Sequence, residues 1–150
     1  MPEWIKLGLP VVATLVASYF SAKWGARAFQ ERWWDRKEKA YVDIIEALHE
    51  LIRITDIRHK DELEGTERSE IELNEMRKLH REALLKIEKA TNVGAFVISP
   101  LAAAVLEELN QRPCLVWGEN PPWEIYESEC EYYRIALNKI RVFAKLDLKV

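Results

Sequence analysis

Arg53 and His59 are separated by five residues in a stretch that reads as helix. A guanidinium can hold phosphate charge and an imidazole can pass protons, which together is the chemistry of RNA cleavage. With eleven arginines and three histidines in the chain, one such spacing arises readily by chance. Asp56, Asp61, Glu62 and Glu64 would also repel RNA. Glu46 and His49 have the Glu-x-x-His form that puts a carboxylate and an imidazole on one helix face. Di-iron bundles use two such pairs plus two more carboxylates, and the sequence has no second pair. A lone pair reads as a surface or interface contact. His80 falls between Met76 and Ala83 on an apolar seam, as a packed histidine whose protonation is sensitive to modest shifts. Cys114 and Cys130 form neither a CxxC nor a zinc spacing, and Cys130 lies on an apolar stripe as a core residue. No Ser-His-Asp set, Gly-rich phosphate loop or HExxH occurs. The sequence therefore predicts no metal, no cofactor and no complete catalytic constellation.

The elements that must position these residues are helical. No Gly or Pro occurs from Ala26 to Glu64. Tyr41, Ile44, Ile45, Leu48, Leu51 and Ile52 recur at helical spacing and define one buried face. A helix over about residues 4–60 would be some 85 Å long and needs partners to be stable. The polar run 59–70 predicts a hairpin loop around Gly65. Ser69 and Glu72 then form a capping box for a second helix. Its seam is Leu73, Met76, His80, Ala83, Ile87 and Ala90, and Asn92 and Gly94 end it. Ser99-Pro100 opens a third helix, as cap and first position. A Pro-rich connection, 111–122, leads to a last helix with the stripe Tyr126, Cys130, Tyr133, Leu137, Ile140 and Ala144. Trp123, Tyr126, Tyr132 and Tyr133 gather there as core and interface aromatics. The expected fold is all-α, an antiparallel helical bundle with no sheet.

Ahead of the bundle, residues 7–22 contain no charged side chain. Lys6 and Lys23 close the run and can snorkel to headgroups, lengthening a span otherwise short of the ~30 Å hydrocarbon core. Trp4 on one side and Trp24, Trp33 and Trp34 on the other sit where an interfacial aromatic belt belongs. Adjacent helix positions point about 100° apart, so one of Trp33 and Trp34 should meet lipid and the other the bundle. The expectation is a single-pass transmembrane anchor, residues 1–28 with flanks, followed by a cytoplasmic helical domain over 29–150. Six basic residues in 22–40 against Lys6 alone before the span place the amino terminus outside the inner membrane. A cleaved signal peptide ending near Ala26-Arg27-Ala28 competes weakly, because the strong positive charge follows the apolar run rather than preceding it. A buried or interfacial helix accommodates Pro10 and the short run. Ala13, Ala17, Ser21 and Gly25 recur every four residues, a small-residue ladder of the kind that lets membrane helices pack closely.

Charge divides the chain. The formal net charge is −3; residues 1–21 balance, and 22–40 carry six basic against three acidic groups, which leaves −6 on 41–150. The basic part suits an anionic lipid surface, while the acidic remainder argues against nucleic acid as the main partner. About 125 residues beyond the anchor suffice for one core. In the cytoplasm both cysteines would be reduced.

Trp33-Trp34-x-x-Lys37-x-x-Ala40-Tyr41, then Ile44-Ile45-Glu46-Ala47-Leu48-His49 and later Gly94-Ala95-Phe96-x-Ile98-Ser99, resembles a family of small bacterial proteins with an amino-terminal membrane helix and a cytoplasmic helical domain, mostly without assigned function. In layout the chain is also similar to the membrane accessory proteins of RNA-targeting CRISPR systems, which resemble divergent HEPN bundles and assemble into ring-shaped pores. The Arg53/His59 spacing falls within the Arg-x(4–6)-His pattern of HEPN ribonucleases. The motifs of the first resemblance are structural and predict no activity. The small-residue ladder, the long amphipathic helix and the lack of a catalytic constellation predict a homo-oligomeric scaffold or pore in the lipid bilayer, and the layout similarity extends that expectation to bacterial defence. A membrane-tethered HEPN-like ribonuclease and an adaptor for a protein partner are the alternatives.

Overall fold

A computed structural model describes the backbone of residues 3–94 and 96–149; the side chains of 1–20, 22, 93–95 and 150 are outside the described residues. Four helices follow in order: α1 (Glu3–Glu64), α2 (Glu70–Gly94), α3 (Pro100–Asn110) and α4 (Pro122–Leu148). Among the described residues there is no strand, only an isolated bridge between Trp117 and Asn120. The chain divides into two compact units, Met1–Arg36 and Lys37–Val150.

In the first unit, every described side chain from Lys23 to Arg36 is exposed. Trp33 and Trp34 are exposed to similar degrees, 38% and 41%. The backbone of the predicted span 7–22 is part of α1, but its side chains lie outside the described residues except for Ser21, as do those of Trp4, Lys6, Ala13 and Ala17. Among the described residues, no helix is long and apolar enough to cross a membrane.

The second unit is an antiparallel bundle, and its cross-links give the direction. Going up α1, Tyr41 meets Asp147, His49 meets Arg141, Asp56 meets Arg134 and Arg58 meets Tyr126. The α4 numbers fall as the α1 numbers rise. The core joins Ile44, Leu48 and Leu51 of α1 to Ile87 of α2, Leu106 of α3 and Ile140 of α4, all at most 1% exposed. All but Leu106 are positions of the sequence stripes, since 3.6-residue spacing places them on single faces.

The ends of the helices follow local chemistry. α1 continues to Glu64, five residues beyond the start of the predicted loop. Residues 59–64 are polar but contain no helix breaker, and Arg58 pairs with Glu62 at 3.4 Å across one turn. Gly65, at φ +65°, turns the chain out of the helix, and the Asp61 carbonyl accepts from the Thr66 amide at 2.9 Å. Asp61 is buried, and its carboxylate takes both Arg68 Nε at 2.5 Å and Nη2 at 2.9 Å. The capping box forms as expected: the Glu72 amide donates to Ser69 Oγ at 3.3 Å and the Ser69 amide to Glu72 Oε2 at 3.0 Å. Ser99 caps α3, accepting from the Ala102 amide at 3.3 Å, with Pro100 following. Pro121 precedes α4 and Pro122 opens it.

Candidate functional site

A cavity of about 480 Å³ opens in the second unit among α1, α2, α4 and the 111–121 connection. Its floor is apolar: Ile54 from α1, with Leu73, Met76 and Leu84 from α2. Three arginines line it, Arg58 of α1 and Arg77 and Arg81 of α2, with Glu129 of α4 as the acidic lining residue. Arg77, His80 and Arg81 are at i, i+3 and i+4, so one turn of α2 delivers all three. The aromatic wall is Trp117 against Tyr126, edge to face with centroids 5.5 Å apart. The Arg58 guanidinium lies 5.5 Å over the Tyr126 ring and its Nε is 3.4 Å from the Tyr126 hydroxyl.

Behind the cavity Arg112 ties three elements together. Its Nη1 donates to the Leu109 carbonyl at 2.9 Å, and its Nη2 donates to the Tyr133 hydroxyl at 2.9 Å and lies 3.7 Å from Glu129. Its guanidinium lies 5.0 Å from the Tyr133 ring centre. Tyr133 is fully buried; burial, reinforced by Glu129, raises its pKa well above the ordinary value.

His80 stands at the junction, its ring edge-on to Tyr133 at 6.5 Å. Burial lowers its pKa below the ordinary 6.5; Glu129 opposes that shift and Arg112 adds to it. Arg58, Arg77 and Arg81 face the same cavity. The depressed value fixes the sign of a pH effect. The unfolded chain takes up the proton at His80 near pH 6.5, before the folded one does. Stability is therefore present above about pH 6.5 and falls as pH drops toward the lower folded value. The melting midpoint of the full chain should fall between about pH 7 and 5.5, and His80→Gln should remove that part of the fall. Glu50 and Glu72, whose pKa values are held down by hydrogen bonds from Arg53 and Ser69, lose their contribution only below their ordinary 4.5. An unchanged slope in His80→Gln would contradict the assignment.

The other singled-out residues lie elsewhere. Arg53 is exposed and bound to Glu50, Nε to Oε2 at 3.0 Å, and lines no part of the cavity. His59, six residues on, is half-buried and turned about 120° from Arg53 around the helix. His49 is exposed, with Nε2 at 2.7 Å from Arg141 Nη2, and Glu46 is exposed. Among the described residues no group of three or more His, Cys, Asp or Glu side chains is placed to hold a metal ion. Cys130 is buried, and burial raises its thiol pKa, whereas Cys114 is exposed. Ser21, Lys23, Trp24 and Gly25 are exposed in the first unit. Sequence reasoning reached His80 and Tyr126 but not Arg58, Arg77, Arg81, Trp117 or Glu129. Comparison with protein-family models, with curated proteins and with solved structures gives no match.

Proposed function

We propose that this protein is a membrane-anchored helical bundle that works by assembling with copies of itself, as a scaffold or a pore. The uncharged run 7–22, closed by Lys6 and Lys23, carries the reading. Trp24 and Phe29, 74% and 69% exposed just past the run, support it as an interfacial belt. The six basic residues of 22–40 put the bundle on the cytoplasmic side. Gly25 supports self-association: among the described residues a Cβ built there meets nothing within 4 Å, so no packing among them requires the glycine. On α4, Ile135, Val142 and Leu146 are exposed along one line, an apolar face available to a second copy.

Cross-linking of the full chain in native membranes tests this. Wild type should give bands above the monomer. Gly25→Leu should reduce them at least about tenfold, because helix association in lipid depends on close backbone approach. The monomer tolerates the change, with open space at the site and about 0.5–1 kcal/mol of helix propensity gained. Only monomer in wild type, or a ladder unchanged by both Gly25→Leu and Ala17→Leu, would overturn self-assembly. Recovery of the protein in the soluble fraction after an alkaline wash would overturn the anchor.

A further inference from the structure

The cavity beside His80 carries a charge opposite to that of the sequence around it. Residues 41–150 sum to −6, yet the described charged lining is three arginines and one glutamate. Arg112 stands 3.7 Å from that glutamate and offsets it. Arg58 and Arg77 have acidic partners, Glu62 at 3.4 Å and Glu70 at 3.2 Å. Arg81 has no hydrogen bond or ion pair among the described residues. In a chain with more acids than bases, an arginine left unpaired at a cavity is a donor fork for an incoming anion.

The opposite wall asks for a flat ring. Trp117 is 59% exposed, although it already meets Tyr126 in an edge-to-face contact. An indole with more than half of its surface open beside a second aromatic ring offers a surface to an aromatic ligand. The volume, about 480 Å³, lies within the roughly 300–1,000 Å³ of small-molecule sites.

We propose that this cavity binds a nucleotide, with the phosphate held by Arg81 together with Arg77 and Arg58, and the base set against Trp117 and Tyr126. Each half explains a feature the other does not. A bare phosphate has no use for the exposed indole, and a neutral aromatic leaves Arg81 unpaired. Glu129 stands on the lining with Arg112 behind it, so its charge does not oppose the phosphate unscreened. The membrane reading rests on other residues, and either can fail without the other.

Calorimetric titration of the full chain in detergent tests it. The probes are AMP, GMP, CMP and UMP, with adenosine and inorganic phosphate as controls. At least one nucleotide should bind saturably with a Kd of about 1 μM to 1 mM. Adenosine and phosphate should each bind at least about tenfold more weakly than that nucleotide. Arg81→Ala and Trp117→Ala should each weaken nucleotide binding about tenfold or more. Arg81 is exposed, so the ligand-free melting midpoint of Arg81→Ala should stay put, while Trp117→Ala should lower it only by the few degrees that one edge-to-face contact supplies; the melts separate lost binding from lost folding. No binding of any nucleotide, phosphate binding as tight as the nucleotide, or full affinity in Arg81→Ala would each overturn the proposal.

Discussion

Tyr133→Ala should destabilise the bundle by about 3–5 kcal/mol, the range for removing a large buried aromatic. A domain of this size has a total of about 5–15 kcal/mol, so the variant would sit near the edge of folding. The reason lies in what the ring touches. Tyr133 is fully buried on α4, with the Arg112 guanidinium 5.0 Å from its centre and His80 edge-on at 6.5 Å. Its loss would open a void between α4 and α2 and leave Arg112 with Glu129 as its remaining partner on α4. Tyr133→Phe separates the two contributions. It keeps the ring and removes only the hydroxyl that accepts from Arg112 at 2.9 Å, a loss of about 1–2 kcal/mol. Thermal melts of the full chain, followed by helical circular dichroism, would show the midpoint of Tyr133→Ala lowered by about 10–20 °C. Equal losses in Phe and Ala would mean the hydrogen bond, not the packing, holds this layer together.

The bundle itself was legible because its signals are local. Apolar residues at three- and four-residue spacing mark faces, and Ser69-Glu72 and Ser99-Pro100 mark helix starts whatever else the chain does. The end of α1 lies beyond the expected loop start because polar composition suits a solvated helix turn as well as a loop. Residues 59–64 have no breaker, and Arg58–Glu62 and the buried Asp61–Arg68 pair favour another turn of helix. The cavity was harder to read. Arg58, Arg77 and Arg81 look like solvated helix surface in sequence, and Trp117 sits in a connection with no periodicity. Their convergence depends on how α1, α2 and α4 pack. One local signal was present: Arg77 and Arg81 flank His80 of the α2 seam within one turn. Arg53 and His59 show the opposite case, a suggestive spacing in which the two side chains point to different sides of one helix.

The other end of the bundle depends on Asp147, and Asp147→Ala should cost about 2–4 kcal/mol. Its carboxylate accepts from the Tyr41 hydroxyl and from the Ser99 amide at 3.0 Å, with Lys37 3.8 Å away. One side chain of α4 thus holds the start of α3 and the first core residue of α1. Tyr41 is 1% exposed, so losing the acceptor leaves its hydroxyl with only Ser99 as partner, at 3.4 Å. Each lost hydrogen bond to the carboxylate costs about 1–2 kcal/mol, although the Ser99 amide keeps the Tyr41 hydroxyl as an acceptor at 3.3 Å, and the partly exposed Lys37 pair adds little. Asp147→Asn keeps a carbonyl acceptor and should lose less than half as much; Tyr41→Phe should cost about 1–2 kcal/mol. Urea unfolding of the full chain measures all three. A change below about 0.5 kcal/mol in Asp147→Ala would show that the clamp is dispensable. Fourteen residues of α4 separate Asp147 from Tyr133, about 21 Å, so the two losses should add. A Tyr133→Ala/Asp147→Ala double variant is then expected to lose about 5–9 kcal/mol and to be unfolded at room temperature if the bundle's total lies at the low end of its range.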